Sequence, residues 1–442
     1  MHWIPWSTAP KGLTAADKKN YLTVQIDGIA IGLANAAAPF LPVFLARLGA
    51  SNLQVGLLTA MPAFTGLFLA IAVGEFLQRR RQIVPWFSGA RLLVISSYAL
   101  TGLVPFILPQ EYIVPVVLII WAAATIPQTM VSVAFTVVMN AVAGPEGRYE
   151  LMSRRWSILG LTTSLAVAAV GQTLERISFP FNYQVVFLGL SLGGLVSYYY
   201  SSHITLPDAD PPPRAAGISL LQRVRGYADL VRAEPAFVSF MVKRFVFLSG
   251  TTLALPLFPL YFVREVGADD GWIGIISMAQ TGVLLFSYLF WARQSRRRGS
   301  RFVLLWTTFG LTLYPLLTAF THDVHWIVVY AGVSGIFQAG LDLVFFDELL
   351  KTFPARYSAT FVSLAQMLQF LSTVASPLVG TLLADQIGLS GALVVSAGLR
   401  LAGFGLFAWG MEIKRETPVP APEPQPAQVQ QAPIQRTAGG GH

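Results

Sequence analysis

Apolar residues run along this chain in long unbroken stretches, with no two-residue alternation and with polar residues gathered at the joints. Twelve such stretches stand out: 21–46, 55–77, 83–108, 112–143, 156–174, 182–205, 237–263, 272–292, 302–320, 324–350, 358–384 and 388–412. Each holds about 20 residues or more, enough for a helix to cross roughly 30 Å of hydrocarbon. A backbone in lipid must satisfy its own hydrogen bonds, and runs this long and unalternating do so as helices rather than as barrel strands. The pattern predicts an all-α membrane protein.

Composition agrees, with 54% hydrophobic and only 12% charged residues among 442. The first twenty residues carry Lys11, Lys18 and Lys19 but no short apolar core before a small-residue cleavage site. The expectation is that no signal peptide is cleaved and that the first helix targets the membrane. With no cysteine there are no disulfides and no thiolate metal sites.

The net charge of +8 raises the question of nucleic acid, and its distribution answers it. Twenty-three of the thirty Lys and Arg fall in the N-terminal segment, the even-numbered loops and the C-terminal tail. The odd-numbered loops hold only Arg47, Arg176 and Arg264. By the positive-inside rule this places both termini in the cytoplasm of a multi-pass inner or plasma membrane protein, and the basic balance reports topology rather than a nucleic-acid partner.

One phrase is written twice. Residues 39–56 read PFLPVFLARLGASNLQVG and residues 256–274 read PLFPLYFVREVGADDGWIG, sharing P-x-x-P-x-x-x-x-R, a Gly-Ala pair and a later glycine. IPQTMVSVAF at 126–135 likewise echoes IFQAGLDLVF at 336–345, PEGRY at 145–149 echoes PARY at 354–357, and QRRRQ echoes SRRRGSR. Four echoes in one order imply an internal duplication. The expected organisation is a cytoplasmic segment 1–20, a six-helix half 21–205, a central cytoplasmic loop 206–236, a second six-helix half 237–413 and a disordered tail 414–442, rich in Pro, Gln and Ala. Six is even, so the halves insert with one orientation about a pseudo-twofold axis along the membrane normal.

Over residues 21–413 this layout resembles the major facilitator superfamily. Its signature after helix two is roughly G-x-x-x-D-R-x-G-R-R; here Gly74-Glu-Phe-Leu-Gln78-Arg79-Arg80-Arg81 keeps the glycine and arginines but has Gln78 in place of the aspartate. The second half, Arg296-Arg297-Arg298-Gly299-Ser300-Arg301, also lacks the acid. That departure leaves the subfamily open and weakens any charge-relay reading of this loop. The resemblance implies two bundles in alternating access, with helices one, four, seven and ten lining a central cavity.

Ionisable groups inside the spans are the informative ones, because each is costly unless it faces a cavity or a partner. They are Asp27, Arg91, Lys243, Arg244, Asp342 and Arg400, with Glu75, Asp347 and Glu348 near enough to the ends to snorkel or cap. The register of the repeated phrase, an offset of 217, carries Asp27 onto Arg244 and sets opposite charges at equal depth. The resemblance then puts Asp27, Gln128, Arg244, Gln338 and Asp342 within reach of a solute or proton, with Asn35 and Trp121 as further lining candidates. Asp27 and Asp342 are the proton-coupling candidates. Arg91, Lys243 and Arg400 are charge-partner candidates, and a pairing of Asp27 with Arg91 inside its own half is the alternative to a cavity role. Gln128 and Gln338 serve equally well as bonds between helices.

Other chemistry is absent or weak. No G-x-x-x-x-G-K-S/T loop offers a nucleotide site. Gly189-Leu-Ser191-Leu-Gly193 has hydrolase spacing but lies inside an apolar helix, and His322, Asp323 and His325 fall in an outer loop. No enzyme, cofactor or metal is expected. The reading is a monomeric secondary transporter whose partners are a small-molecule substrate, protons and the lipid bilayer, exporting an amphiphilic compound. The glycine-and-proline pattern of similar antiporters is missing from helix five. A proton symporter for a small polar or anionic nutrient, anchored by Arg244, is the first alternative; a non-transporting sensor, scaffold or lipid-handling protein is the second.

Overall fold

The computed structural model describes residues 15–206, 231–353 and 358–409. The start of the N-terminal segment, most of the central loop, the PARY echo and the tail lie outside the described residues. What is described is all helical: α1 Ala15–Asn35, α2 Phe40–Arg47, α3 Asn52–Gln78, α4 Val84–Ile107, α5 Gln110–Arg176, α6 Phe181–Ser202, α7 Pro235–Ala254, α8 Leu257–Arg264, α9 Asp270–Gly282, α10 Leu284–Arg298, α11 Ser300–Ala319, α12 Val324–Leu350 and α13 Ser358–Trp409.

Among the described residues, eleven helical stretches are long and apolar enough to span a membrane. The last, Leu364–Trp409, is 46 residues long, roughly 69 Å at 1.5 Å per residue and more than twice a hydrocarbon core. Its helix breaks at Gly388, whose φ of 81° and ψ of 165° suit glycine alone. Helix α5 differs from expectation: helical bonding runs on from Gln110 to Arg176, through the PEGRY segment read as a loop. Yet Val114 and Trp121 near its start and Val170 and Leu174 near its end share one apolar cluster, so the chain doubles back between them.

Each copy of the repeated phrase forms a short helix of its own. Pro39 and Pro256 precede α2 and α8, where a missing N–H costs least, and separate them from α1 and α7. In both copies the short helix is followed by a glycine with positive φ, Gly49 at 85° and Gly267 at 67°. Ser51 then starts α3 with a capping box: its Oγ accepts from the Gln54 N–H at 3.2 Å and its own N–H donates to Gln54 Oε1 at 2.7 Å.

Among the described residues the buried apolar side chains form three clusters. The largest lies at the Gly49 and Gly267 end and mixes both stretches, with Phe40, Phe44, Tyr183 and Phe187 from one and Leu257, Tyr261, Ile273 and Leu393 from the other. At the opposite end the cores are separate. Tyr21, Phe87, Met139 and Leu151 belong to one, and Phe240, Phe247, Leu304 and Phe361 to the other. The most extensive crossings between the stretches are α5 on α9 and α3 on α13, and α8 also meets α2 and α3. The first is built on small residues, since a Cβ on Gly171 would sit 2.8 Å from the Asp270 carbonyl and 3.1 Å from the Gly274 Cα.

Candidate functional site

Asp27 lies on α1 with no exposed surface. Arg91 from α4 pairs with its Oδ1, the Arg155 Nη2 from α5 sits 3.1 Å from its Oδ2, and the Ser197 hydroxyl from α6 donates to Oδ1 at 2.6 Å. Arg91 also donates to the Ser197 Oγ at 3.1 Å. One carboxylate therefore serves two guanidiniums, each at most 4% exposed. Aromatic faces help to hold the surplus charge: Arg91 lies 4.3 Å over Phe87 and Arg155 4.7 Å over Phe135. Gly28 packs against Arg155, where a Cβ would stand at ordinary contact, 3.4 Å from the Arg155 Cγ. The sequence pointed to Arg91 but left Arg155 among the topological charges of a basic loop; nothing in the Arg154-Arg155 pair shows which member turns inward.

The pairing of Asp27 with Arg244 does not form in this structure. The offset sets both at one depth, but each side chain turns into its own bundle. Arg244 donates from Nη2 to the Gln369 Oε1 at 3.0 Å and lies 5.5 Å over Phe345. Lys243, beside it in sequence, is buried. Arg400 is 3% exposed and donates to the Leu311 carbonyl at 2.8 Å, so its partner is backbone rather than a carboxylate.

Asp342 stands differently. It is exposed although mid-helix on α12, and it bridges to α10: the Tyr288 hydroxyl donates to Oδ2 at 2.9 Å and the Gln338 amide to Oδ1 at 2.8 Å. Gln338, one turn before Asp342, shares its face of the helix. No cation reaches this carboxylate among the described residues. Tyr288 was not foreseen, since a tyrosine in an apolar run carries no distinguishing mark.

The remaining candidates disperse. Trp121 is buried inside the first stretch, donating from Nε1 to Thr101 at 3.1 Å and set edge-on to Tyr98. Asn35 and Gln128 are exposed. Glu75, Asp347 and Glu348 pair locally with Arg79 and Lys351. Asp323 accepts from the ring and backbone nitrogens of His325, bonds that hold its carboxyl below the ordinary range. Among the described residues no cluster of His, Asp and Glu could hold a metal.

The repeated phrase supplies what its sequence did not advertise. Arg47, ending α2, crosses to the other stretch: its Nε donates to the Asp270 Oδ1 and its Nη2 to the Ala268 carbonyl, each at 3.0 Å. Tyr183 donates to the same Asp270 oxygen at 2.6 Å. Arg264, its counterpart ending α8, crosses back to Asn52 Oδ1 at 2.5 Å and to the Ala50 carbonyl. Asn52 in turn donates to Asp385 Oδ1 at 2.6 Å. Two arginines, equivalent in the repeat, thus form a reciprocal clasp over the shared apolar cluster.

Residues 240–438 match the model of the Major Facilitator Superfamily. The multidrug resistance protein MdtG of Proteus mirabilis (strain HI4320) is 26% identical over 160 residues, which cover 34% of this chain and 38% of that relative. The fold resembles that of the nucleoside transporter NupG, with a TM-score of 0.69 and 11% identity over 88% of this chain and 99% of that one. It also resembles a bacterial homologue of the iron transporter ferroportin in an inward-facing state, with a TM-score of 0.65 and 16% identity over 90% of this chain and 99% of that one.

Proposed function

We propose that this chain, a member of the Major Facilitator Superfamily, is a secondary transporter that moves a small organic solute by alternating access, coupled to protons. Taking α1 with α2, α7 with α8 and α9 with α10 as single spans, and counting α5 and α13 twice because each doubles back, gives six crossings before the central loop and six after it. This supports two halves, 21–205 and 237–413, turning about the α3–α13 and α5–α9 crossings.

The observation that carries the reading is the unequal closure of the two ends. At the Arg47 and Arg264 end one apolar core and a reciprocal clasp join the halves, while at the other end each half keeps its own core. With the termini cytoplasmic, as the positive charge suggests, this is a state open toward the cytoplasm. Transport then requires the clasp to release and the opposite end to close.

The coupling proton is better placed on Asp342 than on Asp27. Protonating Asp27 would leave two buried guanidiniums facing each other, whereas Asp342 has, among the described residues, only neutral donors beside it and is exposed. Gln338 and Arg244 are cavity candidates on the same half; Asn35 and Gln128 are candidates on the other. For direction, the likeness to MdtG supports export of an amphiphilic compound. Proton symport of a polar or anionic nutrient is the second reading, favoured by an Arg244 that has no carboxylate partner among the described residues.

Inverted membrane vesicles with an acidic lumen test the coupling. A panel of amphiphilic compounds is added while the lumenal pH is followed. At least one compound is expected to collapse the gradient with the native chain and not with Asp342→Asn; equal collapse with both would remove Asp342 from the coupling step.

A further inference from the structure

We propose that Arg244 anchors an anion subsite that takes the carboxylate, or an equivalent oxyanion, of an amphiphilic organic acid. The inference rests on the transporter reading and names the chemistry that one wall of its cavity would recognise.

Arg244 is the tenth residue of α7, which begins at Pro235, so it lies roughly 14 Å along the helix. A guanidinium has five N–H donors. Here one bond goes to a neutral acceptor, Gln369, while Nε is buried and unbonded. No carboxylate reaches the group among the described residues.

Three other arginines near the halves' interiors have a carboxylate: Arg91 and Arg155 share Asp27, and Arg47 holds Asp270. Arg400, like Arg244, bonds a neutral acceptor, the Leu311 carbonyl, but it is 3% exposed, whereas Arg244 is only half-buried and so within reach of a solute. The internal repeat sharpens the contrast. Phe135 and Phe345 are equivalent positions, and each carries a guanidinium on its ring, Arg155 at 4.7 Å and Arg244 at 5.5 Å. The first half adds a carboxylate to that stack. The second half has none, because the position equivalent to Asp27 is Arg244 itself.

A cation at membrane depth without a counter-charge is costly, and an arriving oxyanion removes that cost. The guanidinium fork matches a carboxylate bidentately, with Phe345 behind it, and Leu248, one turn further along α7, is half-exposed apolar surface for the rest of the molecule. The same chemistry could be met by an anionic lipid headgroup, so the test separates the two sources.

The full chain is placed in phosphatidylcholine nanodiscs and its thermal unfolding followed by circular dichroism against 1-naphthoate, with the neutral 1-naphthamide as control. Naphthoate should stabilise the native chain, with the amide weaker by about tenfold or more, as expected for losing a charge-assisted hydrogen bond. Arg244→Gln should abolish that difference and Arg244→Lys keep part of it. Gln369→Glu supplies an internal carboxylate, so it should raise the midpoint without added anion and blunt the response, which guards against a variant that fails by misfolding.

A second arm adds phosphatidylglycerol to the discs. Stabilisation by that lipid alone, dependent on Arg244, would overturn the solute and assign the site to a headgroup. Equal responses of the native chain and Arg244→Gln in both arms, or an amide as potent as the acid, would overturn the site altogether. A transporter of neutral compounds would fail here and still open its ends alternately, so the two readings fail separately.

Discussion

Replacing Asp27 by Asn removes the single negative charge that two buried guanidiniums share. The carboxylate has no exposed surface, and its partners Arg91 and Arg155 are at most 4% exposed, so water cannot take over its role. Breaking a buried pair by removing one partner costs about 3–5 kcal/mol. The asparagine oxygen still accepts from Ser197, and the rings of Phe87 and Phe135 still face the cations, so the low end applies: about 3 kcal/mol, roughly a hundredfold in the folded-to-unfolded ratio. Reversible unfolding by SDS in bicelles reads this directly. Adding Arg91→Gln removes one of the stranded cations, so the double variant should be less destabilised than the two single changes summed, by about 1 kcal/mol or more. An Asp27→Asn variant within about 0.5 kcal/mol of the native chain would refute the counter-ion account. If it also lost proton-driven transport but kept counterflow, Asp27 would be the proton carrier after all.

Two further changes test the contacts between the halves. Arg47→Ala leaves Asp270, 6% exposed, with Tyr183 alone, and should weaken the closed end by about 1–3 kcal/mol, the half-exposed arginine discounting the buried-pair value. The chain has no cysteine, so spin labels at Gln110→Cys and His322→Cys report that opening as a new, longer distance; an unchanged distribution would mean the clasp holds nothing. Gly171→Val forces a side chain against the Asp270 carbonyl and Gly274, and should cost about 2 kcal/mol in SDS unfolding, while Gly189→Ala, with open space beside it, should cost little.

Hydrophobic run length alone made the spans legible, because lipid leaves the backbone so few choices. Where loops are short the same signal fails: nothing in PEGRY announces that helical bonding continues through it. The repeat implied a shared depth for Asp27 and Arg244 and could say nothing of direction. A helix residue faces wherever its neighbours leave room, and Asp27 turns toward Arg91, Arg155 and Ser197 of its own half. Pairing of Asp27 with Arg91 was foreseeable because both were isolated charges in apolar runs; Arg155, flanked by other basic residues, was hidden by the topology signal. In the sequence the repeated phrase marks only a duplication and its register. Its prolines and glycines are architectural, but its arginines clasp the opposite half, a role that only the meeting of two distant loops reveals.

The central claim is that the two ends open in turn. It is tested most directly by measuring both on one protein: label distances across the clasp end, at Gln110→Cys and His322→Cys, and across the other end, at Arg81→Cys and Arg297→Cys, as a stabilising ligand or pH shifts the population. The account predicts anticorrelated change, one distance lengthening as the other shortens. Ends that stay fixed, or that lengthen together, would contradict it.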